Sequence, residues 1–248
     1  MFRKSHDIYK GLFIAAAPGT HATVAKIINE HLQPAARIIE FGAYKGAMLS
    51  RLKDFGYQNL MAADLDNHLS INGINHIKCD FNENFSTSFT GEKFDCIVAV
   101  EVIEHLNDIR HFLSECCQLL NENGYIVIST PNVGFFEGRV KFFMQGELWG
   151  FGPNNYVSQR HISPLTVATF PLILEEKGYE LVKMITDASF ATFLRKIVTS
   201  PIWIPMRLLF GKHVLGESLI CVARRKEVVG VSRLSSKATW GIKNDNEF

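Results

Sequence analysis

The sequence is poorest in the features that would tie it to a membrane interior, to nucleic acid or to an oxidising compartment. No uninterrupted apolar run reaches the ~18–20 residues that a membrane-spanning helix needs, so the chain is expected to be soluble or at most peripheral. Charge of one sign is also missing: 26 Lys and Arg face 25 Asp and Glu, for a net charge of +1. A domain that grips a polyanion through its overall field carries a strong basic excess. Its absence disfavours nucleic acid as a partner. There are five cysteines, an odd number, and Cys116 and Cys117 stand side by side in an apolar segment. They show neither the even count of a disulfide framework nor paired metal-ligand spacing. Reduced core thiols and a cytoplasmic location are the expectation. The Gly-x-Gly-x-x-Gly loop of nicotinamide-dinucleotide enzymes is lacking, and the chain holds no internal repeat.

What is present is ample apolar matter, 47% of 248 residues, enough for a substantial core. Strand-like and helix-like segments alternate as in successive parallel-sheet units. Residues 21–32 have helical spacing, 37–41 form the first strand, 45–55 a crossover helix, 60–63 the second strand and 77–79 a short third. Residues 94–100, Phe-Asp-Cys-Ile-Val-Ala-Val, are the near-continuous apolar run of a buried parallel strand. Asp108 caps a helix to about Leu120, and Asn121-Glu-Asn-Gly124 turns the chain into a fifth strand, 125–129. Further on, a helix is expected around 138–145 and another over 164–177, started by Pro164, kinked at Pro171 and closed by Gly178. Strands over 179–185 and 218–223 form the last pair. The start, Met1-Phe-Arg-Lys with Gly11-Leu-Phe-Ile-Ala-Ala-Ala17, imitates a signal peptide, but Asp7 and Lys10 interrupt it. A helix or loop packed near the cofactor is expected there. The organisation reads as one domain over 1–225, with cap segments at about 133–163 and 187–216, and a polar tail over 226–248.

The segment richest in chemistry is 37–46, Arg-Ile-Ile-Glu40-Phe-Gly42-Ala-Tyr44-Lys-Gly46. Parallel sheets bind ligands beyond the carboxyl ends of their strands, and glycines at the first strand-to-helix turn admit the ligand. Glu40 selects its charge: a diphosphate would meet a carboxylate, whereas an ammonium would be paired by one. A second acid, Asp64, closes the next apolar segment 24 positions later. This Glu-x-Gly-x-x-x-Gly pattern, with the second acid, resembles the class I S-adenosylmethionine-dependent methyltransferases. The resemblance covers about residues 21–223. It implies an α/β fold with a doubly wound, mostly parallel, seven-stranded Rossmann-like sheet and an inserted cap. It also implies S-adenosylmethionine as cofactor, with Glu40, Gly42, Tyr44 and Gly46 at the methionine end. Asp64 would hold the ribose hydroxyls, with Asp66 as a substitute. Asp80 would meet the adenine amine, Phe81 would line the ring, and Glu101 would end the fourth strand under the sulfur. One departure is Tyr44, where the family commonly has glycine; a tyrosine does not readily take positive φ. Its ring would either cover the methionine end or pack on the helix start.

Methyl transfer needs an acceptor aligned behind the methyl group, and a hydroxyl acceptor must also lose a proton to a base or gain acidity from a metal. Glu101-x-x-Glu104-His105 lies beyond the fourth strand, where an acceptor would approach. With His161 of Arg160-His-Ile-Ser-Pro it resembles the metal-binding set of small-RNA 2′-O-methyltransferases and ubiquinone-pathway O-methyltransferases. The resemblance implies Glu101, Glu104, His105 and His161 as ligands of a divalent ion such as Mg²⁺ or Mn²⁺. Without a metal, His161, His105 and Glu104 are the catalytic candidates, an imidazole being suited to proton transfer near neutrality. The plainer alternative is that Glu104 and His105 orient the loop by hydrogen bonds.

Acceptor choice is assigned to the irregular second half. Phe142, Phe143, Trp149, Phe151 and Tyr156 make either an aromatic lid or an ordinary packed cap. Residues 193–210 mix apolar bulk with Arg195, Lys196 and Arg207, a composition that fits an interfacial segment at the inner face of a membrane and equally an inter-subunit or core helix. With Thr130-Pro-Asn-Val, the region looks like bacterial methyltransferases of surface-glycan or lipid-linked sugar synthesis. The expected function is O-methylation of a small-molecule, glycan or lipid-linked acceptor. A metal-assisted RNA 2′-O-methyltransferase and a non-catalytic methyltransferase-like binding protein are the alternatives.

Overall fold

The computed structural model describes residues 7–187 and 193–226. Most of the expected tail, the Met1 to Lys4 start and part of the second cap segment lie outside them. In place of the expected helix or loop, the described residues begin with a hairpin, β1 (Ile8–Tyr9) and β2 (Leu12–Phe13). Lys10 and Gly11 both have positive φ, 50° and 80°, as a tight turn matched to strand twist requires. Leu12 and Ile14 pack on Ala47, so the hairpin lies against the start of a helix that follows the glycine turn.

The rest is built on one sheet. α1 (Thr20–His31) precedes β3 (Ile38–Phe41), and α2 (Ala47–Asp54), β4 (Leu60–Asp64) and β5 (Asn75–Lys78) follow. β6 (Phe94–Val100) and α3 (Ile109–Leu119) lead into β7 (Leu120–Pro131), α4 (Phe136–Gln145), α5 (Pro153–Gln159) and α6 (Phe170–Glu176). β8 (Tyr179–Asp187), α7 (Phe193–Val198), α8 (Ser200–Phe210) and β9 (Ser218–Arg225) close the chain. The seven strands run in the order β5-β4-β3-β6-β7-β9-β8, all parallel up to β7, with β9 antiparallel to both β7 and β8. The chain steps outward from β3 to β5 and then returns to lay β6 on the other side of β3. The order therefore reverses there, which opens a crevice at the carboxyl ends of β3 and β6.

Both faces of the sheet are covered, which is why β3 and β6 can be apolar on both sides. On one face, Val24, Ile28, Met48 and Leu52 of α1 and α2 meet Ile38, Cys96 and Val98. On the other, Phe41 stacks on Phe81 at 4.7 Å and meets Phe85 and Phe112 edge-on at 5.5 and 6.1 Å. Offset and edge contacts of this kind add about 0.5–1.5 kcal/mol each beyond burial. They fix β3, and so the turn that follows it.

Four expectations need correction. β5 lies at 75–78 rather than 77–79. Asn121–Gly124 does not separate a helix from a new strand. The strand begins at Leu120, and the four residues form an irregularity within it, with Asn123 at φ 60°. Residues 164–169 are not helical: α6 starts at Phe170 with Pro171 in its first turn, where a missing N–H costs nothing, so Pro171 starts this helix instead of kinking it. α5 follows a Gly152-Pro153 start that the aromatic-rich composition concealed. Asp108 caps α3 as expected, its carboxylate accepting from the amides of Arg110 and His111 at 2.8 and 3.0 Å.

Candidate active site

A cleft of about 360 Å³ opens at the carboxyl ends of β3, β4 and β6. Gly42, Asp64, Asp80, Phe81 and Glu101 border it, as does His105. Gly42 is the residue that keeps it open at the turn. Its φ is 71°, and a Cβ there would lie 2.5 Å from Val102 Cγ2. Asp64, the last residue of β4, has its carboxylate oriented by the amides of Leu65 and Tyr44, at 2.8 and 3.2 Å. Asp66 is instead held at the surface by Lys78, 3.0 Å away, and that ion pair lowers its pKa. Asp64 is thus the acid that faces the cleft.

Three residues expected at the cofactor do not border the cleft. Glu40 is buried behind the turn, where the Leu49 amide near the start of α2 bonds to it and its Oε2 has no hydrogen-bond partner. Burial holds its carboxyl well above the usual range, and the Asp64 charge adds to this. Tyr44 adopts φ 43°, a strained angle for a residue with a Cβ. Its ring stands 6.0 Å from Phe13 and 6.0 Å from His68, packing beside the helix start, while its amide holds Asp64. Gly46, at φ 83°, is required by Ile71, whose Cδ1 would lie 2.7 Å from an added Cβ.

Beyond β5, Asp80 accepts from the backbone and side-chain nitrogens of Asn82 at 2.9 and 3.0 Å, and Asn82 Oδ1 accepts from the Asn107 amide at 2.8 Å. Asn82 and Asn107 border the cleft and escaped the sequence reading. The Asp80-x-Asn82 spacing of an Asx-type turn was the available signal.

The surroundings of His105 are assembled from two distant segments. The Glu104 carbonyl accepts from the amides of Ile162 and Ser163 at 2.9 and 3.0 Å, and Ser163 Oγ donates to Leu106 O at 2.5 Å. These bonds bring His161 beside the loop after β6. Donor atoms of Glu104, His105 and His161 all lie within 4.8 Å of one another. Glu101 is at the edge of this group: its Oε1 accepts from Ser129 Oγ at 2.8 Å. His105 Nδ1 lies 2.7 Å from the Gln159 carbonyl and His161 Nδ1 lies 2.8 Å from the Gly150 carbonyl. A carbonyl only accepts, so each Nδ1 carries the hydrogen, and in its neutral form the His105 ring has its lone pair on Nε2. Gly150 must be glycine for this approach, since at φ 77° a Cβ would meet Pro131 at 2.8 Å.

Burial lowers the His105 pKa, against a smaller opposing pull from the Gln159, Arg160 and Glu101 backbone groups, so the ring is neutral at neutral pH. Glu104 is fully buried, and neither carboxylate oxygen makes a well-formed hydrogen bond. Burial first, then the Glu101 charge, push its carboxyl well up. Backbone strain concentrates here: Tyr44, Glu101 and Arg160 all have positive φ, at 43°, 54° and 56°. Strained angles of this sort persist where the surrounding structure fixes them, and they cluster at functional sites. Arg160, which borders the cleft, was quoted only as the neighbour of His161. The aromatic cap divides. Trp149 packs 5.2 Å from Phe135, Phe151 lies 5.6 Å from His161, and Phe142, Phe143 and Tyr156 are exposed.

Residues 16–184 match the family model described as a methyltransferase domain. Among curated proteins, the chain is 32% identical over 108 residues to a ubiquinone biosynthesis O-methyltransferase of Bradyrhizobium diazoefficiens, covering 39% of this chain and 40% of that protein. It is 32% identical over 90 residues to the human mitochondrial ubiquinone biosynthesis O-methyltransferase, covering 36% of this chain and 24% of that one. The matched part therefore spans well under half the length of these relatives. Among solved structures, a SAM-dependent methyltransferase from Archaeoglobus fulgidus superposes with a TM-score of 0.56 at 18% identity, over 83% of this chain and 95% of the other. The N-methyltransferase NodS from Bradyrhizobium japonicum, in complex with S-adenosyl-L-homocysteine, gives 0.52 at 16% identity, over 84% and 86%. At these identities the structures speak to the fold alone.

Proposed function

We propose, from the premise that the chain belongs to the class I S-adenosylmethionine-dependent methyltransferase family, that it catalyses methyl transfer to an oxygen of a small-molecule acceptor. The observation that carries the oxygen assignment is the cluster of Glu104, His105 and His161, of which His105 borders the cleft. S-adenosylmethionine, when bound, supplies a methyl group on a sulfonium that leaves as a neutral thioether. Asp64 accepts from the ribose hydroxyls, the Asp80 and Asn82 pair meets the adenine edge, and Gly42 lets the backbone approach. Glu40 acts from behind the turn: an ammonium at the methionine end draws its buried carboxyl toward the ionised form. His105 Nε2, neutral and bordering the cleft, takes the proton that an acceptor hydroxyl loses as the new O–C bond forms and the C–S bond breaks. The Gln159 carbonyl and the edge contact of the His161 ring, centroids 4.8 Å apart, hold that imidazole in place, with Glu104 beside both rings.

The same donors fit a divalent ion such as Mg²⁺ or Mn²⁺. A carboxyl buried without a well-formed hydrogen bond and two imidazoles with donor atoms within 4.8 Å are a usable ligand set, and carboxylate and imidazole suit borderline to hard ions. Glu104, His105 and His161 would hold the ion, with Glu101 at its edge; its charge would acidify a hydroxyl. The more specific form of the reading is an acceptor carried on a lipid, with segments 133–163 and 187–216 of one domain over 1–225 forming its cap, in the cytoplasm.

Calorimetric titration of chelator-treated protein with S-adenosylmethionine and S-adenosylhomocysteine, with and without added Mg²⁺ or Mn²⁺, tests the cofactor site. A screen of hydroxyl and amine acceptors with labelled methyl donor follows. Binding with transfer to hydroxyls supports the reading, transfer confined to amines overturns the oxygen assignment, and no binding by folded protein overturns the enzyme.

A further inference from the structure

We propose that α7 and α8 form a docking surface for an anionic lipid bilayer. α8 has two apolar sides where a surface helix has one. Its inner side packs Trp203 and Met206 against Phe135, Phe136, Val214 and Leu215. Arg139 of α4 closes the edge, its guanidinium 4.4 Å from the Phe210 ring. At ~3.6 residues per turn, Pro201, Ile204, Pro205 and Leu208 fall on the opposite arc, flanked by Ile202 and Leu209. Leu208 and Leu209 are 82% and 76% exposed, and Ile202 and Ile204 43% and 44%. A helix at a protein surface carries polar residues on that arc. Single exposed apolar side chains are ordinary, but a contiguous set marks an interaction site. α7 continues the strip: Ile197 and Val198 are exposed, and Trp203 Nε1 donates to the Lys196 carbonyl at 3.0 Å, tying the two helices together.

The charge around the strip names the occupant. Residues 193–216 contain no Asp or Glu, whereas Arg195, Lys196, Arg207 and Lys212 lie among them. Lys196, Arg207 and Lys212 are exposed. A protein interface surrounds its apolar centre with polar groups of mixed character. Here the bases are of one sign, which suits anionic headgroups above acyl chains into which Leu208 and Leu209 insert. The surface stands on α8 itself and does not depend on the acceptor proposed above.

The test is co-sedimentation of the full chain with phosphatidylcholine vesicles and with vesicles containing a third phosphatidylserine. The wild type is expected to pellet with the anionic vesicles and to be released by salt. Leu208→Asp with Leu209→Asp should weaken this at least about tenfold, and Lys196→Glu with Arg207→Glu should abolish the preference for anionic lipid. Unchanged circular dichroism and S-adenosylhomocysteine binding would show that the variants are folded. Wild-type protein that stays in the supernatant with every vesicle overturns the proposal. So does indifference to lipid charge, or a dimer in solution that Leu208→Asp with Leu209→Asp makes monomeric while vesicles are ignored.

Discussion

The two sides of the cleft, the one we assign to the cofactor and the one we assign to the acceptor, are built in opposite ways. On the cofactor side, each working residue sits at the end of a strand or in the first turn beyond it. Gly42 follows β3, Asp64 ends β4 and Asp80 follows β5, so sheet register alone sets their relative positions. On the acceptor side, His161 comes from a loop some 60 residues beyond β6 and is held by bonds from the Ile162 and Ser163 amides to the Glu104 carbonyl. A site made by register is stiff and tolerant of neighbours. One made by a few cross-loop bonds depends on each of them.

The largest expected effect breaks the acceptor side alone. Glu104→Ala removes a buried carboxyl beside the two imidazoles, and transfer should fall by about 10²–10⁴, the range of a lost proton-transfer arrangement. S-adenosylhomocysteine affinity, measured by calorimetry, should stay within about threefold, because the variant leaves the β3 and β4 ends intact. An equal loss of both would mean that the two sides are one unit.

Breaking the cofactor side should cost less in rate and more in affinity. Asp64→Ala removes the acceptor proposed for the ribose hydroxyls, and hydrogen bonds to charged groups contribute about 1.5–3 kcal/mol. Cofactor affinity should therefore drop about 10- to 100-fold. Asp66→Ala, which breaks only an exposed pair with Lys78, should change it by less than about twofold. Reversed magnitudes would exchange the roles of the two acids.

A third change probes how tightly register holds the turn. Gly42→Ala must force φ 71° on a residue with a Cβ and push Val102 away from 2.5 Å. The expected loss is about 1–3 kcal/mol of stability, read as a lower Tm, with weakened cofactor binding. Gly56→Ala tests strain without crowding: φ is 93° but nothing lies within 4 Å of the added Cβ. Its smaller loss measures the strain term, and the difference between the two is the cost of displacing Val102.

The same contrast explains what could be read in advance. β6 was legible to the residue, because a strand buried on both faces writes itself as a continuous apolar run. Asp64, Asp80 and Glu101 could be placed at the cleft in advance because the crevice of such a sheet opens at the carboxyl ends of its strands. Tyr44 and Glu40 stand back from the cleft for a physical reason. Spacing locates a residue on a turn, but it does not say which way the side chain leaves the backbone. With φ 43° the Tyr44 ring is aimed at Phe13 and His68, and Glu40 points under the turn toward the Leu49 amide. Gln159 and Gly150 were illegible because they act through carbonyl oxygens, which every residue has. The outward arc of α8 was half legible: its composition indicated an interface, but only packing shows that Trp203 and Met206 face in while Leu208 faces out.

The smallest expected effect sharpens the acceptor side by titration. If His105 accepts the proton, only its neutral form works, so the rate rises with pH through the His105 pKa and is flat above it. Burial lowers that pKa from the ordinary value of 6.5. The rising limb should therefore have its midpoint below 6.5, and kcat/KM, corrected for any other ionisation, should change by less than about twofold between pH 6.5 and 8. An imidazole in water would already be half protonated at 6.5. His105→Gln should remove the limb along with most of the rate, whereas His161→Gln, which acts by holding the ring, should lower the rate and move the limb toward the solution value as water reaches His105. A midpoint above 7 in the wild type would mean that the charged imidazole is favoured at this site. The proton would then pass to another group, and the cross-loop bonds would serve only to shape the cleft.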